Sequence, residues 1–170
     1  LGGSKIEPMA PTKDVLFKKF NELVDKGFPV NQVVLRIDPI IATVKGIETG
    51  LSVIELFKDS GITRVRYSSL DMYKHVIDRF KDNEIRIPYK TFHGNISMRK
   101  ELDKRIRMAA SLINAQVEVC AEPGIESTGC ISQKDIDILG LTNDIKLIGK
   151  KDQRKECSCP NNKKQLITEA

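Results

Sequence analysis

The sequence predicts an α/β fold built from parallel β/α units, either an open sheet or a partial, incomplete (β/α) barrel. Three observations carry this. Short β-branched runs recur at VVLRI (33–37), ITRVRYS (62–68) and VEVC (117–120), and each reads as a strand. Amphipathic stretches with helical spacing separate them, and strands alternating with helices imply a parallel sheet. Only three strands are found, too few to close a barrel, so an arc would need a partner for its open edges. That partner is either the rest of the polypeptide or a second subunit.

The elements follow from local chemistry. TKDVLFKKFNELVDK (12–26) reads as a helix, with Thr12 at the N-cap and Gly27 just past the end. Leu16, Phe20, Leu23 and Val24 share one face. VVLRI is nearly all apolar, as in a sheet covered on both sides. DPIIATVKG then reads as a loop, IETGLSVIELFKDS (47–60) as a second helix and SLDMYKHVIDRFKD (69–82) as a third. The stretch 83–95 carries Pro88 and Gly94 and reads as a loop. Ser97 is placed to cap a helix over 98–114, with Leu102, Ile106, Ala109 and Ile113 facing inward. SQKDIDIL (132–139) has the S-x-x-D capping pattern and reads as a short helix. The chain thus divides into a partial barrel domain, 1–149, and a cysteine-containing tail, 150–170, without assigned structure.

Composition narrows the function. Hydrophobic residues are 40% of the chain, enough for a packed core. No apolar run nears the length that spans a membrane. No signal peptide is seen, which points to the cytoplasm. The absence of an initiator Met suggests a piece of a longer protein. A net charge of +5 permits nucleic-acid binding, but basic residues are scattered and aromatics are only 5%, so nothing indicates it. Walker A, G-x-G-x-x-G, G-x-S-x-G and H-E-x-x-H patterns are absent.

In parallel α/β folds the loops after the strands carry function. Here they offer Arg36 and Asp38, then Arg66, Ser68, Asp71 and Tyr73, then Cys120 and Glu122. Arg36 sits inside an apolar strand, where a buried guanidinium needs a partner; Asp38 or Asp71 is the natural one. Asp38 could equally cap a turn, and Asp71 could serve a helix dipole. His75 and His93 are the only histidines, without metal-binding spacing, and each reads as solvated or simply hydrogen-bonded.

Four cysteines remain: Cys120, Cys130, Cys157 and Cys159, spaced C-x9-C-x26-C-x-C. This is not a zinc-ribbon spacing. A reducing cytosol argues against structural disulfides. Three of the four lie in polar loops, where a packing role gains little. A shared metal site, four unrelated thiols, and redox or disulfide pairing all stay open. Thiolates in such a site suit Zn²⁺ or an iron–sulfur cluster.

RIDPI after the first strand, the C-A-E strand end, the GCIS step and the final KDQRKECSC arrive in an ordered series. This series resembles a bacterial radical-SAM-like family of unknown function, distantly similar to spore photoproduct lyase. The resemblance runs from about Ile6 to Cys159. It implies a (β/α) barrel with a [4Fe–4S] cluster on a C-x3-C-x2-C motif and S-adenosylmethionine in the intact protein. That motif is absent here, which leaves the activity of this chain alone in doubt. Carried over residue by residue, Cys120, Cys130, Cys157 and Cys159 become candidate ligands of an auxiliary cluster or a structural metal. Arg36, Asp38 and Glu122 become barrel-mouth residues. The competing expectation is a stand-alone α/β binding or interaction module without catalysis, with or without a structural zinc.

Overall fold

The computed structural model describes residues 2–120, 122–128 and 132–140. The elements are α1 (Lys13–Asp25), a 3-10 turn (Val30–Gln32), β1 (Leu35–Ile40), α2 (Val44–Leu56), β2 (Arg64–Ser69), α3 (Lys74–Asp82), α4 (Ile96–Leu112), β3 (Gln116–Val119) and α5 (Gln133–Ile138). The strands form one parallel sheet in the order β1-β2-β3. This is the α/β alternation the sequence predicts. Among the described residues the sheet is open, and no barrel is formed. The tail, 150–170, lies outside the described residues. No described helix is long and apolar enough to cross a membrane.

Caps set the helix starts. Thr12 Oγ1 accepts the Val15 N–H at 3.4 Å, as expected. Helix α2 begins earlier than its periodicity suggests, because Thr43 Oγ1 accepts the Gly46 N–H at 3.2 Å. Gly46 permits this entry: a Cβ there would stand 2.0 Å from the Ile41 carbonyl oxygen. Asn95, not Ser97, caps α4, with its Oδ1 accepting the Ser97 N–H at 2.9 Å. Helix α3 starts five residues after the predicted position, since Ser69 ends β2 and Asp71 turns inward. Helix α5 forms where S-x-x-D predicts, and the Ser132 N–H donates to Asp135 Oδ2 at 2.7 Å.

The register divides the sheet into two unlike faces. Leu35, Val65 and Val117 lie side by side, as do Ile37, Tyr67 and Val119. This face packs on Ile47 and Ile54 of α2 and on Leu102, Ile106 and Ala110 of α4. The Tyr67 hydroxyl donates to Asp103 at 2.7 Å. Burial first, then the Asp103 carboxylate, holds that phenol far above its ordinary pKa. On the opposite face Arg36, Arg66 and Glu118 are in register. The apolar look of VVLRI suggests a strand covered on both sides, yet the Arg36 side chain is 60% exposed. Alternation along the strand puts it on the face away from α2 and α4.

Helix α5 seats on this polar face through charge. Arg64 donates to Asp135 at 2.5 Å, and Arg66 Nη2 reaches the same carboxylate at 2.6 and 2.7 Å. Arg66 Nε bonds Glu118, which also accepts the Ser132 hydroxyl at 3.0 Å. Burial alone would raise the Asp135 pKa, but the Ser132 N–H and the two guanidinium groups hold it below the usual range.

Candidate functional site

The carboxyl ends of the three strands gather the polar side chains. On β1, Asp38 lies inside the strand rather than in the following loop, and its peptide bond to Pro39 is cis. Asp38 accepts from Arg36 and from the Ser68 hydroxyl of β2. The anticipated Arg36–Asp38 pair therefore forms, but with an exposed guanidinium. Arg66 does not reach this edge; it is spent on Glu118 and Asp135.

Beyond β2 and β3 the cluster is buried. Glu122 is 2% exposed, Arg99 5% and Asp71 6%. Glu122 accepts the Ser69 N–H at 2.6 Å and the Ser69 hydroxyl at 2.5 Å. Arg99 approaches the same carboxylate at 3.5 Å and donates to the carbonyls of Gly94 at 3.0 Å and Pro123 at 2.6 Å. Asp71 Oδ1 meets His93 Nδ1 at 2.7 Å. The Tyr89 hydroxyl donates to the Leu70 carbonyl, and burial, then the Asp71 and Glu122 charges, push its pKa up. Cys120 follows β3, half-buried, with its N–H donating to the Tyr67 carbonyl at 3.1 Å.

Glu122 carries the electrostatic signature of the cluster. Burial raises its pKa from 4.5, and the Asp71 charge adds to this; the Ser69 donors and Arg99 oppose it without cancelling it. A carboxyl raised in the folded state holds its proton more tightly than in the unfolded chain. Its stabilisation is full below the unfolded value and is lost as pH rises through the folded value. Glu122→Gln keeps an acceptor for Ser69 and removes the titration. Urea unfolding from about pH 4 to about pH 7 should show a shallower decline in stability for this variant than for the parent. Parallel profiles for the two proteins would count against a raised Glu122.

Comparison with known families adds one finding. The family model described as Domain of unknown function (DUF1848) matches residues 2–164. The chain belongs to this family. No curated protein and no solved structure matches it. The matched range spans the sheet, the described helices and the C-S-C segment.

Of the proposed ligands in this family member, Cys120 alone lies within the described residues; Cys130, Cys157 and Cys159 lie outside them. Among the described residues no group of three or more His, Cys, Asp or Glu side chains could hold a metal ion. A site made by the four thiols would need ligands beyond the described part, so Cys120 by itself does not make one.

Arg99, Ser69 and Tyr89 were not singled out in the sequence, and His93, read there as solvated or simply hydrogen-bonded, is hydrogen-bonded to Asp71. For Arg99 there was a signal. It stands three residues before Leu102 on the stripe that continues through Ile106 and Ala110, so its guanidinium enters the buried face. For His93 the signal is tertiary. The 83–95 loop folds back on the β2–α3 connection, where the Met72 N–H donates to the Phe92 carbonyl at 2.8 Å. Gly94 lets it pass, since a Cβ there would stand 2.8 Å from the Ala42 methyl.

Proposed function

We propose that this chain is one arc of a radical-SAM-like iron–sulfur protein, distantly similar to spore photoproduct lyase. In this reading the three β/α units belong to an incomplete (β/α) barrel. Cys120, Cys130, Cys157 and Cys159 bind a metal, either an auxiliary [4Fe–4S] cluster or a structural Zn²⁺. The observation that carries the reading is the unequal cover of the two sheet faces. Helices α2 and α4 bury one face, while the other face and the carboxyl edge bear Arg36, Asp38, Ser68, Arg66 and Glu118. A parallel sheet with consecutive strand order and a polar face that only the short α5 covers in part resembles the inner wall of a (β/α) barrel, whose chemistry sits at the carboxyl ends. Cys120 follows β3 at that end.

Strands β1 and β3 each pair only with β2 among the described residues. The remainder of the polypeptide, or a second subunit, would supply the missing neighbours. A cluster, when bound, would supply one-electron chemistry, and S-adenosylmethionine would bind elsewhere in the intact protein. A cytoplasmic, reducing setting fits thiolate ligands.

One observation favours the second reading, a stand-alone binding module. Helix α5 covers part of the polar face through Asp135, as helices cover both faces of an open α/β sheet. Metal content separates the two. Anaerobically purified protein should carry iron and sulfide, or zinc, in fixed stoichiometry, and Cys157→Ser should lower it. Metal content unchanged by Cys157→Ser would remove that thiol from the site; a metal-free, chelator-indifferent monomer would favour the module.

A further inference from the structure

We propose that His93 is a proton acceptor. Its Nε2 is presented at the carboxyl edge of the sheet to a planar aromatic or heteroaromatic ligand bearing an acidic O–H or N–H. The inference is independent of the cysteines and of any metal. It rests on the Asp71–His93 pair and on the rings beside it.

The Asp71 side chain is 5% exposed and that of His93 is 34% exposed, with 2.7 Å between Oδ1 and Nδ1. A carboxylate can only accept, so Nδ1 carries the proton, and in the neutral imidazole Nε2 keeps its lone pair. No described residue hydrogen-bonds Nε2. His93 is thus the member through which a buried group of Asp71, Glu122 and Arg99 meets solvent. The pair is not required to join the two loops, because the Met72–Phe92 backbone hydrogen bond already does so. Burying a carboxylate is costly, and Asp71 orients the imidazole from a buried position.

The neighbouring rings define the ligand. Phe92 stands edge-on to His93, with centroids 4.8 Å apart and planes at 81°. Tyr73 is edge-on to Phe92 at 4.9 Å. Phe92 is 44% exposed and Tyr73 40%. Phe92 beside the oriented imidazole, backed by Tyr73, which itself stacks on His75 at 5.7 Å, offers stacking area to a flat ligand, whose acidic group can then meet Nε2. The ligand's proton passes to Nε2. The ligand is left as its anion, and the imidazolium is held between that anion and Asp71. Asp71 is a positioning residue in this scheme.

The test uses the full chain and 4-nitrophenol, whose anion absorbs visible light apart from the neutral phenol. Below the phenol's own pKa, the protein should raise the phenolate signal saturably. His93→Gln should weaken that binding about tenfold or more, the loss of one charge-assisted hydrogen bond. Phe92→Ala should weaken it as well. Nitrogen NMR of the imidazole should show the Nδ1–H form of His93, lost in Asp71→Asn and partly restored in Asp71→Glu. No saturable signal, a signal indifferent to His93→Gln, or an Nε2–H form in the parent would each overturn the proposal. The metal content of His93→Gln should equal that of the parent, so failure here is distinguishable from failure of the metal reading.

Discussion

Arg99→Ala is expected to lower the unfolding free energy by about 3–5 kcal/mol, the range for removing one partner of a buried ion pair. The residue is 5% exposed on α4 and ties three segments together. Its guanidinium satisfies the carbonyls of Gly94 and Pro123 and faces Glu122. Without it, two carbonyls lose a donor and the Glu122 carboxylate stays buried with only Ser69 to stabilise it. Arg99→Lys should recover part of the loss, because an ammonium keeps the charge but cannot reproduce the planar fork. Denaturant unfolding checks both variants. A loss under about 1 kcal/mol for Arg99→Ala would mean that Glu122 is protonated and neutral in the parent, or that water replaces the guanidinium.

Leu102→Ala is the second large effect, expected to cost about 2–5 kcal/mol. Leu102 is fully buried in the cluster that joins α4 to the sheet and to α2. The removed atoms leave a cavity between a helix and strands that cannot easily close on it. Met108, 59% exposed on the same helix, supplies the contrast. Met108→Ala should stay within about 0.5 kcal/mol of the parent. Equal losses at the two positions would contradict the assignment of the buried face of α4.

What could be read from the sequence was what local chemistry decides. The alternation of short β-branched runs with helical periodicity gave the parallel sheet, and S-x-x-D gave α5. Thr12 was recognisable as a cap because an obvious helix follows it, whereas Thr43 was not, because Val44–Gly46 has no helical signal of its own. The polar face of β1 was hidden by its composition. In VVLRI a lone arginine looks buried, yet strand alternation puts Arg36 in solvent beside Asp38. The carboxyl-edge cluster was half legible. Asp71 and Glu122 follow strands and stand out as acids, but their partners His93 and Arg99 come from a folded-back loop and a helix interior. Only tertiary structure brings those together.

In the proposed function, thiolates of this chain bind a metal centre. The most direct measurement is iron, sulfide and zinc analysis, with a visible spectrum, of anaerobically purified full chain beside Cys157→Ser and Cys120→Ser. A fixed metal stoichiometry in the parent and a lower one in both variants are expected. Iron with sulfide and a broad visible absorption would mark a cluster; colourless zinc would mark a structural site. Four titratable thiols in a folded, metal-free parent would contradict it.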